Sequence, residues 1–459
     1  MTEKNILKRQ YGLFVTICIV VGFVVGTGIF WRPGRVLYEA GGNIWIGILA
    51  WVIGGLVISA CVYMFAVMAG RYEKIHGMVD YAEVIVGSKY GYLAGWFFCV
   101  MYQTAGYAII AWISASFTAT LAGHTNVTNT PFVFILSVFY MVVIFLINFW
   151  VPKLPMKLNT FTVVARMIPL VLMGTVGVVV GILTRDIAPT ALSVYGIGEG
   201  MSAPSFLGAV FATVFAYNGW QAAVAFNSEI NSSKRNLPIA LMVGFFIVMV
   251  IYVLYFVGVV SAGNSYQLMA NNQLGTRAAF ANIFGYRAGY IILVFVIISG
   301  LGILNMCCMG MSRSLYALSR RGRGPAPERL VVLDPRTGSP ANSMIVCVGL
   351  SFLWMIVIFG NHNGWFGTID GRPFRFDLPD FYNMIFFVLL IPIFIGFIIK
   401  NHKSKEINVF NRIFAPLLAT GGAGFMIYAL ISSSPIHAAI YTGAFLLIGV
   451  VGFLFWRNV

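Results

Sequence analysis

Long apolar runs separated by short polar connections set the pattern of this chain. Runs such as 44–69, 238–262 and 378–399 are almost uncharged, and each exceeds the roughly 20 residues a helix needs to span a bilayer. The whole pattern predicts about twelve such helices, over 11–38, 43–69, 90–121, 131–150, 158–183, 205–228, 238–262, 287–318, 341–359, 378–399, 413–432 and 436–456. Some are longer than the bilayer is thick, so tilts or breaks are expected. The polar stretches between them, such as 264–287, 319–341 and 360–377, are too short for a soluble domain. A single membrane domain over 1–459 is therefore predicted. The first run is too long for a signal peptide and lacks a small-residue cleavage site.

Two of the runs are interrupted. "VVGTGIFWRPG" (24–34) puts Gly26, Thr27 and Gly28 inside the first, and "TVFAYNGWQAAVAF" (213–226) puts Asn218 and Gly219 inside the sixth. Glycine is a poor helix former, and lipid offers a freed amide no water. Small residues alone can mean close helix packing, and that reading suffices for Gly54-Gly55 and Gly421-Gly422. Breaks five spans apart at matching positions point instead to inverted repeats, with a site at the midplane where the half-helices meet. Freed amides attract a carboxylate and freed carbonyls attract an ammonium. A zwitterionic amino acid carries both.

Composition and charge sharpen this picture. Hydrophobic residues make up 59% of the 459 and charged residues only 9%. The net charge of +15 resembles a nucleic-acid binder's until the charges are placed. With the N-terminus inside, most of the 29 Lys and Arg fall on the inner side, while Arg32, Arg35, Arg185, Arg277, Arg287, Arg372 and Arg375 fall outside. That asymmetry predicts cytoplasmic termini and no nucleic-acid partner. All 14 Asp and Glu and all 5 His fall at span ends, in loops or in the tail. Proton relays and intramembrane metalloenzymes need such groups at depth, so an enzyme is disfavoured and neither metal nor cofactor is expected. The 6 cysteines all lie in predicted spans and read as free thiols.

The interrupted segments, with their flanks, carry a specific resemblance. "GTGIFWRPG" followed by "YEAGG" (38–42) resembles the first-helix signature of the amino acid–polyamine–organocation (APC) superfamily. "FAYNGWQ" with "FNSEINSSKRNLPIA" (226–240) is similar to the sixth helix and following loop of its L-amino-acid transporter branch. "KLNTFTVVARMIPLVL" (157–172) and "GMSRSLYALSRRGRGP" (310–325) resemble the fifth helix and the end of the eighth. The likeness covers most of the chain and is greatest to bacterial serine/threonine and alanine/serine/cysteine exchangers. It implies an all-α integral membrane protein of the LeuT type. In that fold a first repeat over about 11–183 and a second over about 205–399 form a five-plus-five inverted repeat, followed by two added helices over about 413–456. One departure is Val67, where the family commonly ends its second helix on an acidic residue.

The resemblance also implies roles. The amides of Gly26, Thr27 and Gly28 would hold a substrate carboxylate. Carbonyls near Val24, Phe215 and Asn218, beside Gly219, would hold its amino group. Phe215 occupies the family's aromatic gate, and Tyr102, Gln103, Asn305 and Cys307 are candidates for the side-chain pocket. Arg166 stands where sodium-independent members often carry a lysine in place of a sodium ion. A guanidinium does not titrate, so Arg166 is expected to be a fixed cation joining the fifth helix to the first and eighth. Snorkelling to an interface is the plainer alternative, but the residue lies deep in its span. Arg313 and Glu229 are expected as inner-gate or loop-anchoring charges.

A pocket without carboxylates disfavours cationic substrates, which leaves neutral L-amino acids, moved by sodium-independent exchange across the cell membrane. A proton- or sodium-coupled symporter is the alternative, and an amino acid sensor on a transporter fold is another. A channel would need a polar pore stripe. The loop "AGHTNVTNTP" between the third and fourth helices has no cysteine, so no covalent heavy-chain partner is expected.

Overall fold

The computed structural model describes residues 9–72, 78–124, 131–151, 154–184, 205–369, 372–373, 377–433 and 435–456. Glu3, Glu73, His76, Arg185, Asp186, Glu199, Asp370 and Arg375 lie outside the described residues. Among those described, eleven helices are long and apolar enough to cross a membrane. They run Leu13–Trp31, Ile44–Arg71, Ser88–Leu121, Pro131–Trp150, Leu158–Leu183, Ser233–Ala262, Tyr286–Arg320, Ala341–His362, Leu378–Asn401, Phe410–Ser433 and Pro435–Leu454. The sixth span of the sequence reading is missing from that set because it is broken. It is a helix over Phe206–Tyr217, a left-handed Gly219, a short helix over Trp220–Ala223 and a 3-10 turn over Val224–Glu229. The first span is broken too, ending one helix at Val24 and starting the next at Gly28.

Burial explains the arrangement. In lipid a helix satisfies its own backbone, so large apolar side chains such as Phe139, Leu183, Leu447 and Leu454 remain exposed on the outside of the bundle. The two broken spans and the third and eighth are held inside. The eighth packs along the third and fifth, the seventh along the second and first, and the tenth along the eleventh. Trp51 of the second span, Tyr217 of the sixth and Tyr252 of the seventh meet edge to face or tilted, with centroids 5.3–5.8 Å apart. Their ring contacts tie three spans into one unit.

The face on which the first span begins is termed the near face, and the opposite one the far face. On the far face, short helices over Ser265–Ala270 and Asn272–Phe284 close over the end of the first span. Asn264 and Asn271 cap them through their side-chain oxygens. Asn272 accepts the Gly34 amide at 2.7 Å and donates to the Phe30 carbonyl. Two-residue strands, Thr368–Ile369 and Arg372–Pro373, pair antiparallel before the tenth span.

Candidate functional site

The two breaks face each other. Helix geometry ends at Val24, whose carbonyl accepts the Tyr252 hydroxyl at 3.0 Å. The amides of Gly26 and Thr27 make no backbone hydrogen bond among the described residues, and Gly28 opens the next segment. Opposite, Gly219 takes φ +113° and lies so near the first span that a Cβ there would sit 2.2 Å from the Phe23 carbonyl oxygen. Only glycine permits that conformation and that approach together.

Side chains fix the sixth-span break from both sides. The Gly219 amide donates to the Gln221 side-chain oxygen at 3.2 Å, and the Gln221 amide donates to the Tyr102 hydroxyl of the third span. Asn218 donates to Asn383 of the tenth span. Tyr102 and Gln103 end a π-helical stretch over Phe98–Gln103. Such widened turns recur at functional sites because they re-aim adjacent side chains. Here both neighbours face the same space.

That space is a cavity of about 70 Å³ lined by Val24, Gly26, Thr27, Gly28, Tyr102, Gln103, Gly106, Ile110, Phe215, Asn218, Gly219, Ile303, Cys307 and Tyr382, among others. No Asp, Glu, Lys, Arg or His lines it among the described residues. Three of the lining residues carry a side-chain oxygen that is buried with no hydrogen-bond partner among the described residues: Thr27 Oγ1, Gln103 Oε1 and Asn218 Oδ1. Unpaired buried polar atoms are costly, so the packing beside the cavity leaves polar groups unsatisfied.

Asn305 corrects the sequence reading. It lies outside the cavity, 1% exposed, and accepts a hydrogen bond of 2.8 Å from Asn148 of the fourth span. Ile303 and Cys307 share the cavity face because they are four residues apart on one helix. Asn305, midway between them, must point away.

Arg166 is fully buried. Its guanidinium donates to the Gly22 carbonyl at 3.1 Å and to the Val25 carbonyl, and Nε donates to Thr162 O at 3.0 Å. It therefore joins the fifth span to the last turn of the first helix, just before the break. The expected bridge to the eighth span is only an approach: a Cβ at Gly302 would lie 3.1 Å from Nη2, with no hydrogen bond to that span.

Each end of the site is closed by charge. On the near face Arg313 Nε pairs with Glu229 at 2.7 Å, and its guanidinium lies 4.5 Å from the centre of the Phe226 ring. The Gln10 and Tyr11 amides donate to the Glu229 carbonyl at 2.8 and 3.0 Å. Glu229→Gln keeps the shape but leaves the buried guanidinium without its counter-charge. We expect a loss of about 3 kcal/mol, read as a lower unfolding midpoint in detergent; an unchanged midpoint would show the pair adds no net stability.

On the far face the sequence reading missed Arg32, counting it as an outer charge. It is 4% exposed, bridges Asp377 (3.6 Å) and Asp380 (3.5 Å), and its guanidinium lies 4.9 Å from the centre of the Phe215 ring. Its acidic partners come from the tenth span, far along the chain, so no local motif announced them. Beyond this layer a vestibule of about 540 Å³, lined by residues including Trp31, Arg35, Trp112 and Asp377, opens to the far face. Beside it, Glu39 accepts from Arg35 at 2.7 Å and from the Ser205 amide at 3.3 Å. Burial there pushes the Glu39 carboxyl above its ordinary value, against the pull of Arg35.

Comparison with known proteins agrees with this geometry. A family model described as amino acid permease matches residues 11–455. The chain is 25% identical to the serine/threonine exchanger SteT of Bacillus subtilis over 454 residues, which are 98% of this chain and 97% of that protein. It is 24% identical to the b(0,+)-type amino acid transporter 1 of Mus musculus over 456 residues, covering 97% and 87% of the two chains. It is also 24% identical to the glutamate/serine transporter AimA of Bacillus subtilis over 385 residues, covering 78% and 67%.

Proposed function

The chain belongs to the amino acid permease family and is a multi-pass membrane amino acid transporter, and we propose that it exchanges small neutral L-amino acids without sodium. The observation that carries the reading is the small uncharged cavity enclosed by two helix breaks. The substrate carboxylate meets the Gly26, Thr27 and Gly28 amides and the Thr27 hydroxyl. The ammonium donates to carbonyls near Val24 and Phe215 and to Asn218, beside Gly219. A side-chain charge would be buried there with no partner, which argues for neutral substrates.

Sodium independence is supported by Arg166. Its guanidinium already binds the Gly22 and Val25 carbonyls, so the charge at the first-span break is permanent and supplied by the protein. The preponderance of basic residues on the near-face connections favours that face as cytoplasmic, with both termini there, in the cell membrane. The two breaks, five spans apart, favour an inverted repeat over about 11–183 and 205–399, with two helices added after it.

Alternating access then follows from the closures. With the near face sealed by Glu229 and Arg313, substrate enters from the far vestibule past Phe215. Arg32 over the Phe215 ring, locked to Asp377 and Asp380, shuts the site behind it. The near pair then parts and the first and sixth spans tilt. Slow return of the empty carrier makes turnover an exchange.

Uptake of labelled neutral amino acids into proteoliposomes tests this. Uptake is expected in vesicles preloaded with unlabelled amino acid and not in empty ones, with no ion gradient imposed. Uptake into empty vesicles driven by a proton or sodium gradient would establish the coupled symporter instead. Binding without transport in either preparation would favour a sensor.

A further inference from the structure

We infer that Tyr441 of the last span is a positioning residue for the far-face closure. It anchors the start of the tenth span so that Asp377 and Asp380 hold Arg32 over Phe215, an assignment that rests on the closure proposed above. The last span, Pro435–Leu454, turns side chains such as Ile440, Leu447, Val450 and Leu454 to lipid. Its buried residues are Ala438, Tyr441, Gly449 and Gly452, and of these only Tyr441 carries a side chain larger than a methyl group. One large polar side chain buried from an otherwise lipid-facing helix needs a partner, and the partner identifies its role.

That partner is the peptide of Asp377. The Tyr441 hydroxyl accepts from the Asp377 amide at 3.1 Å and donates to the Asp377 carbonyl at 3.0 Å. Its ring lies 5.1 Å from that of Phe381, one turn further on. Asp377 is the N-cap of the tenth span, yet its side chain makes no cap hydrogen bond. An aspartate in that position ordinarily turns back onto the amides of its own first turn. Here the carboxylate reaches Arg32 instead, at 3.6 Å, and Asp380 adds the second contact at 3.5 Å. Two bonds from Tyr441 hold the residue in place of the missing cap. Arg32 Nε is buried without a hydrogen-bond partner among the described residues, so the guanidinium depends on those carboxylates for its place. Without the hydroxyl, the Asp377 peptide is released, its carboxylate returns to the helix end, and Arg32 leaves the Phe215 ring.

Cys307 reports the closure without any transport. It lines the cavity, whereas Cys18, Cys61, Cys99, Cys308 and Cys347 are buried. The purified full chain is treated with methyl methanethiosulfonate, and modification of Cys307 is followed by peptide mass spectrometry. Arg32→Gln opens the closure directly and sets the fast limit. Tyr441→Phe keeps the ring and loses only the hydroxyl. It is expected to raise the Cys307 rate on the order of tenfold, as the loss of two hydrogen bonds would. If that variant does not assemble, Tyr441→Met, which also lacks the hydroxyl, gives the same readout. The double variant with Arg32→Gln is expected to react no faster than Arg32→Gln alone, because Tyr441 acts through Arg32.

A wild-type rate in the Tyr441 variants, beside a fast Arg32→Gln, refutes only the role of Tyr441. So does a double variant whose acceleration is the product of the two single ones, since Tyr441 would then act by packing and not through the closure. A wild-type rate in Arg32→Gln refutes the closure itself, and the Tyr441 assignment with it.

Discussion

Gly219→Ala abolishes exchange, although it adds a single methyl group. Two independent costs meet at this position. The backbone is left-handed at φ +113°, which strains any residue with a Cβ by about 1–3 kcal/mol. The new Cβ would also sit 2.2 Å from the Phe23 carbonyl oxygen, far inside contact distance. Phe23 cannot give way freely, since it belongs to the last turn of the helix that delivers Gly26, Thr27 and Gly28 to the cavity. Relief of the clash moves one break away from the other, and the two halves of the head-group site with them. Misplacement by about 1 Å lowers turnover on the order of 100-fold. Gly421→Ala is the matched control, because a Cβ there meets nothing within 4 Å. Exchange per reconstituted protein is expected to collapse in the first variant and persist in the second. Wild-type turnover in Gly219→Ala would show that the breaks need not touch.

Why the sequence revealed the breaks but not their clamps is a matter of range. Gly26–Gly28 and Asn218-Gly219 announce themselves because glycine inside an apolar run is a local contradiction, visible without knowing what lies opposite. Arg166 is visible for the same reason, as a lone charge deep in a span. The π-helical stretch at Phe98–Gln103 contains no glycine or proline and reads as ordinary helix, so the joint presentation of Tyr102 and Gln103 has no local sign. Asn218 with Asn383, Gln221 with Tyr102, and Arg32 with Asp377 and Asp380 join residues distant in sequence; packing alone brings them together. Asn305 differs, since helical periodicity already separates it from Cys307.

Replacing Arg166 separates the need for a cation at the first-span break from the need for its planar fork. The guanidinium donates to two carbonyls of the first span and to Thr162 on its own helix, so one side chain fixes where the first helix stops. In Arg166→Leu the Gly22 and Val25 carbonyls lose that donor inside a fully buried site. Each buried carbonyl left without a donor costs about 1–3 kcal/mol, and exchange is lost with it. Arg166→Lys is the informative variant. An ammonium lacks the planar fork and cannot reproduce every bond, so turnover falls. Reduced but measurable exchange by Arg166→Lys, with none by Arg166→Leu, would show that the first-span carbonyls require a cation and that the guanidinium's geometry sets how well it is held. Full exchange by Arg166→Leu would show that the carbonyls at the break need no cation, and the case for sodium independence would fall with it.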